Sequence, residues 1–251
     1  MNRTLGRKQH DPVAVDAAPK LADHYASVAP PPSSLPRTGI NYQPQMFGND
    51  QYPCCTAAGL LNGALASEAI ATNSALNIAP LAWMPFYAAC AGCAETPAAI
   101  GASDGANMLD VLKRQGTQGF DIGLPAPLSG DFGTVALDRN SIARGIAALG
   151  WLYGGIEVFQ ADMDAPAGMP WQPWANPGAD LGGHCLVLFG YTGLGDTDSV
   201  IAATWGELVQ ITWERWDQIA RECYGVLFSI VQPAGVDTVA LAAKNAQWLT
   251  T

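Results

Sequence analysis

The chain has 251 residues, 49% hydrophobic and 14% charged, so it can bury a sizeable core as one large domain or two small ones and is not disordered in bulk. Its formal net charge of −10 argues against nucleic acid and against adsorption to anionic lipid, which both demand a basic face. Residues 1–11 are basic but lack a following apolar run, and the alanine-rich stretch 54–72 is broken by Asn62 and Glu68. Neither a signal peptide nor a membrane span is expected, and synthesis and folding in a cytoplasm are.

Residues 1–40 read as an extended, proline-rich arm, with Pro30, Pro31, Pro32 and Pro36 and little periodicity. Ordering such a segment costs conformational entropy, so it is expected to be ordered only where something covers it. The cover is its own domain or a neighbouring subunit, and the expectation is an intermolecular contact in an assembly. Residues 41–233 form the domain proper, and 234–251 a tail with a short helix.

Within the domain, Leu60, Leu61, Ala64, Leu65 and Ala69 recur at helical spacing and predict a helix over 56–71, weakened a little by Gly59 and Gly63. A second helix is expected over 81–91, with Pro85 in or near its first turn, and a third over 105–115. After a loop come a short helix at 141–149 and a buried strand at 151–159. Residues 160–182 hold four prolines and two tryptophans and read as an irregular loop, with Trp171 and Trp174 as lid anchors or interface residues. Strands are expected at 185–191, 200–205 and 209–213, a helix at 214–223 and a closing strand at 226–231. Helices first and strands later is an α+β order.

Six cysteines stand at 54, 55, 90, 93, 185 and 223. In a reducing compartment they are free thiols by default. Cys90 and Cys93 form a CxxC with no second pair to complete a zinc site, which leaves structural thiols or a redox role, and no cofactor is expected. Cys54 and Cys55 are adjacent and cannot bridge without distorting the peptide between them.

The informative stretch is Gly48-Asn49-Asp50-Gln51-Tyr52-Pro53-Cys54-Cys55-Thr56. A cysteine where a loop enters a helix has its thiolate stabilised by the helix N-terminus. Its backbone N–H can provide half of an oxyanion hole, and Asn49, six positions earlier, can supply the other half. Asn49 also suits a turn with Asp50, and Gln51 is the runner-up donor. Cys54 reads as packing. Of the three histidines, His10 and His24 lie in the arm, which leaves His184 as the base, after Gly182-Gly183 and before an apolar strand. The two groups are expected within about 3–5 Å of each other.

The order Asn49, Cys55, Gly183-His184, Gly190-Tyr191, Thr204-Trp205-Gly206 resembles the papain-like cysteine peptidases, over about residues 40–232. More closely it resembles a papain-like group found in bacteriophages and prophages. The matching pieces are Gly6-Arg7-Lys8, the proline stretch, Gly48-Asn49-Asp50, Cys55-Thr56, Gly105-Ala106 and Leu109-Asp110-Val111-Leu112. The resemblance implies a papain-like α+β fold and a catalytic set of Cys55, His184 and Asn49 working on a peptide or protein substrate. Two departures stand out. Asn49 replaces a glutamine, and Ala203 occupies the place of the asparagine that orients the histidine. Thr204, Asp180 or Asp198 must then substitute, or the site runs as a Cys–His dyad with low activity that Ala203→Asn would raise. The functional expectation is a phage-type thiol hydrolase cleaving a peptide or isopeptide bond. The alternative is a virion-associated structural protein that keeps the fold without catalysis and contacts neighbouring virion proteins. A murein amidase shares the Cys–His order, but no cell-wall-binding segment is evident. Made in a host cytoplasm, the protein would end in the virion under the second reading.

Overall fold

A computed structural model describes residues 3–25, 27–79, 81–124, 126–228, 233 and 235–250. The first segment holds a short helix, α1 (Pro12–Ala17), and a 3-10 turn, Leu21–His24. Then come α2 (Cys55–Thr72), α3 (Trp83–Ala91), α4 (Pro97–Gly101) and α5 (Met108–Gln118). The remainder alternates: β1 (Gly130–Thr134), α6 (Arg139–Leu149), β2 (Leu152–Phe159), α7 (Gln160–Met163), β3 (Asp180–Tyr191), β4 (Ser199–Thr204), β5 (Glu207–Thr212), α8 (Trp213–Ile219), β6 (Ala220–Phe228) and α9 (Thr238–Trp248). The strands form one antiparallel sheet in the order β1-β6-β2-β3-β4-β5. Helices first, strands later: the fold is α+β.

Side-chain alternation along β3 explains how the sheet serves two cores. Cys185, Val187 and Phe189 enter the cluster built around α2, α3 and α5, whereas Leu186 and Leu188 enter a second cluster with Ile142, Ile146, Trp213 and Trp216. Helix α2 is buried on nearly all sides, so its sequence is apolar or small all round rather than striped. Gly59 and Gly63 do more than the sequence suggests. A Cβ at Gly63 would lie 2.2 Å from the Trp151 ring, and one at Gly59 2.7 Å from the Tyr153 ring. Both glycines let α2 sit directly on β2.

The structure departs from expectation at three boundaries. Helix α5 starts at Met108, because the Asn107 side chain accepts from Leu109 N and Gly105 adopts φ +91°. Strand β3 starts at Asp180, pairing Gly182 and Gly183 with Val158 and Glu157. The helix expected over 214–223 stops at Ile219, and residues 220–223 are already β6, where they pair with β2. Residues 229–231 of the expected closing strand lie outside the described residues.

The described residues among the first 40 lie against their own chain. Leu21 is fully buried, Leu35 exchanges backbone hydrogen bonds with Tyr191, and Tyr25 bridges to Val236. No helix among the described residues is long and apolar enough to cross a membrane. No group of three or more His, Cys, Asp or Glu among them could hold a metal ion. All six cysteines are free, and burial pushes the Cys90 thiol up to about 12.

Candidate active site

Cys55 is the first residue of α2 and is fully buried. The chain reaches it through a tight turn at Phe47-Gly48, φ +46° and +78°, closed by Asn49 N–H donating to Met46 O at 3.0 Å. Positive φ at two successive residues is the pattern of a type I′ turn. It places Asn49, 3% exposed, on the loop that leads into the helix. Cys54 faces away, its thiol on the Phe47 carbonyl at 3.4 Å, and burial raises its pKa. The expected packing role fits that position.

His184 sits on β3 with no solvent exposure. Its Nε2 lies 2.5 Å from the Thr204 hydroxyl, and its Nδ1 has no partner of that kind. Asp180 and Asp198, the other candidates for orienting the ring, are engaged elsewhere: they accept from Gly182 N and Gly195 N at 2.9 and 2.8 Å. The turn joining β4 to β5 is Trp205-Gly206, φ +46° and +74°, which lays the indole flat on the imidazole, centroids 4.0 Å apart at 14°. Trp171 packs beside Trp205 and pairs with Ile211 of β5, which ties the 160–182 loop to the sheet, and Trp174 donates to Asp162 of α7, which ties the loop back to its own start.

Burial alone would push the Cys55 thiol up. Hydrogen bonds from Cys185 and His184 and the charge of the imidazole outweigh it, and the pKa lies well below the ordinary thiol value. Cys185 is driven the opposite way, by burial and by its donation to Cys55. The structure therefore brings Cys55 and His184 into interaction and adds Cys185, which the sequence reading did not single out.

A second group absent from the sequence reading is the N-terminal strap, residues 3–8. Thr4 N donates to Asn49 O at 3.1 Å, and the Thr4 hydroxyl is 2.6 and 2.5 Å from the carbonyls of Asn49 and Tyr52. Trp205 Nε1 donates to Thr4 O at 3.2 Å, and Arg3 lies over the same indole while pairing with Glu207. Further along, Arg7 N donates to Gly183 O, Ala106 N to Gly6 O, and Lys8 N to Ala106 O, at 2.9–3.1 Å. The strap thus joins the Asn49–Pro53 loop and Ala106 on one side to Gly183 and Trp205 on the other. Cys55 and His184 lie between those walls. Contact is so close that a Cβ on Gly6 would be 1.9 Å from Pro53 O.

No family model matches the chain, and no curated protein matches it in sequence. Solved structures do. Xylellain, a cysteine protease from Xylella fastidiosa, superposes with a TM-score of 0.64 at 15% identity, over 90% of this chain and 97% of that one. ProCathepsin B S9 from Trypanosoma congolense gives 0.60 at 12% identity, over 90% and 83%. Procathepsin L 3 of Tenebrio molitor gives 0.58 at 13%, over 85% and 77%. The fold is that of the papain-like cysteine proteases. Within it, the cysteine at a helix start and the histidine on the facing sheet fit the papain-like arrangement.

Proposed function

We propose that the protein is a papain-like thiol hydrolase of phage type that cleaves a peptide or isopeptide bond, held here with its site covered by its own N-terminal strap. The observation that carries the reading is the Cys55 thiol, buried at a helix N-terminus yet favoured as thiolate by His184, whose far nitrogen is anchored on Thr204. The phage-type assignment rests on the sequence motifs. Cys55 Sγ attacks the carbonyl carbon of the scissile bond, and the oxyanion is received by the Cys55 N–H and the Asn49 side-chain amide. His184 Nδ1–H protonates the departing nitrogen, which leaves a thioester. Nδ1 then takes a proton from water, whose oxygen attacks the thioester and frees the thiolate. Thr204 holds the ring throughout, accepting from Nε2–H whenever the imidazole is charged.

The alternative of a non-catalytic virion protein drew on the missing asparagine and on the arm. Thr204 supplies a partner for the imidazole, and the arm is engaged with its own domain, so neither ground favours that alternative.

The test uses Gly6→Val, in which the strap cannot seat. A peptidyl vinyl sulfone is expected to label Cys55, and the variant to hydrolyse an unfolded protein such as casein; Cys55→Ser abolishes both. Because the thiol pKa is depressed, alkylation by iodoacetamide should persist below the ordinary thiol range and fall only as pH drops through the lowered value. Labelling that tracks an ordinary thiol, with no hydrolysis, would sink the reading.

A further inference from the structure

Arg7 is the most completely enclosed cation in the strap, and its surroundings have the form of a receptor. The guanidinium donates to Glu222 Oε1 at 2.9 Å and to Glu157 Oε1 at 2.5 Å, and its Nε and second nitrogen point at the Ile156 carbonyl at 3.4 and 3.3 Å. Glu222 is fully buried and is held from behind by the Tyr224 hydroxyl at 2.6 Å, so it is fixed without help from the strap. Space for the aliphatic stem comes from Gly155. A Cβ there would fall 2.6 Å from Met108 Sδ and 2.9 Å from Arg7 Cδ. Register places this socket against the reacting groups: Gly155 is paired with Cys185 and with Glu222, and Ile156 with His184. The backbone that delivers Arg7 is extended and hydrogen-bonded to both walls, to Gly183 O on the sheet side and through its neighbours to Ala106. An extended peptide with its arginine seated is therefore already what the cleft holds.

We propose that the Glu157–Glu222 socket is a specificity pocket for an arginine side chain of the substrate, occupied in this form by Arg7 as an internal substitute. The inference rests on the hydrolase reading for its use, but not for its binding chemistry. When the strap lifts, it leaves an immobile buried carboxylate, a second carboxylate and a carbonyl converging on one point. A planar fork fills that arrangement; a lysine satisfies part of it, and a leucine none. Substrates are then basic segments, which the protein's net charge of −10 also attracts.

Two measurements on the full chain test it. In Arg7→Ala the socket is vacated, and 10 mM N-acetyl-arginine methylamide should raise the melting temperature by about 3 °C or more, through binding to the folded state alone. The lysine analogue should give less and the leucine analogue nothing, and Glu222→Gln in the same chain should remove the shift. If Arg7→Ala does not fold, the same shifts are read in Gly6→Val, whose unseated strap also leaves the socket open. In Gly6→Val, vinyl sulfone probes with arginine at either of the two positions before the electrophile should label Cys55 at least tenfold faster than the leucine forms, a preference that Glu222→Gln abolishes. Equal shifts for arginine and leucine amides, or an arginine preference that survives Glu222→Gln, overturns the proposal while leaving Cys55 chemistry intact. An arginine-selective shift without any labelling or hydrolysis supports the pocket and overturns the hydrolase reading alone.

Discussion

Helix α2 and the strap of residues 3–8 meet over the same cleft, and the residues that face it are buried, but different forces hold them there. The helix is held by apolar area and shape: Leu60, Leu61, Ala64 and Trp151 pack where Gly59 and Gly63 let the backbone approach β2. The strap contributes little apolar surface. Backbone hydrogen bonds to Asn49, Ala106 and Gly183 hold it, with a glycine pressed on Pro53 and a cation between two carboxylates. Local side-chain pattern specifies the first kind of packing. Partners 45 to more than 200 positions away specify the second.

That contrast can be broken most sharply at Gly6. A valine there places atoms inside the Pro53 backbone, which has no far end to swing aside, so the strap must leave while α2 keeps its contacts. An overlap of this kind costs more than about 3 kcal/mol, so exposure of Cys55 should rise by more than about 100-fold. Iodoacetamide alkylation of Cys55, followed by mass spectrometry in native buffer, reads this directly. If Cys55 reacts equally fast in both chains, the strap is not what covers it.

The matching substitution in the helix is Gly63→Ala. Its added methyl overlaps the Trp151 ring at 2.2 Å, and overpacking of this kind costs about 1–3 kcal/mol. The urea midpoint should fall with the slope unchanged, and the alkylation rate of Cys55 in native buffer should stay where it was. A variant as stable as the parent would mean that α2 does not rest on β2 as described.

The two kinds of packing also set what could be read from the sequence. The α2 helix with Cys55 at its start, and the strands at 185–191 and 200–205 with His184 at the edge of the first, were legible, because periodicity and the loop-to-helix cysteine are local signals. Residues 220–223 continue the expected helix in sequence, where Arg221 and Glu222 look solvent-facing. Glu222 is instead buried on a strand, and the cation that makes this tolerable comes from Arg7, in a segment that reads as an extended arm. Each half of the ion pair looks like surface without the other. Cys185 escaped notice for a similar reason. Its hydrogen bond to Cys55 helps to hold that thiol's pKa down, and nothing in its apolar neighbours Leu186 and Val187 announces that.

The finest distinction concerns adjacent residues on β4. By sequence, Ala203 is where an orienting asparagine would stand, and Ala203→Asn would be expected to improve the site. The structure assigns the contact to Thr204, and neighbours on a strand face opposite ways. Ala203 is 2% exposed, paired with Val187, and packed in the cluster around α2. An asparagine there buries an amide with no partner provided, at a cost of about 1–3 kcal/mol, and never meets the imidazole. Ala203→Asn should therefore lower stability and leave turnover of the Gly6→Val chain no higher. Thr204→Val does the reverse. It keeps the β-branched shape, removes the one hydrogen bond that fixes Nε2, and should reduce kcat about tenfold with KM little changed, since a lost bond to a charged ring is worth about 1.5 kcal/mol or more. Thr204→Ser restores the hydroxyl and should recover most of the rate. Should Thr204→Val keep full kcat while Ala203→Asn gains, the orienting position is residue 203 after all, and the short contact to Thr204 is packing alone.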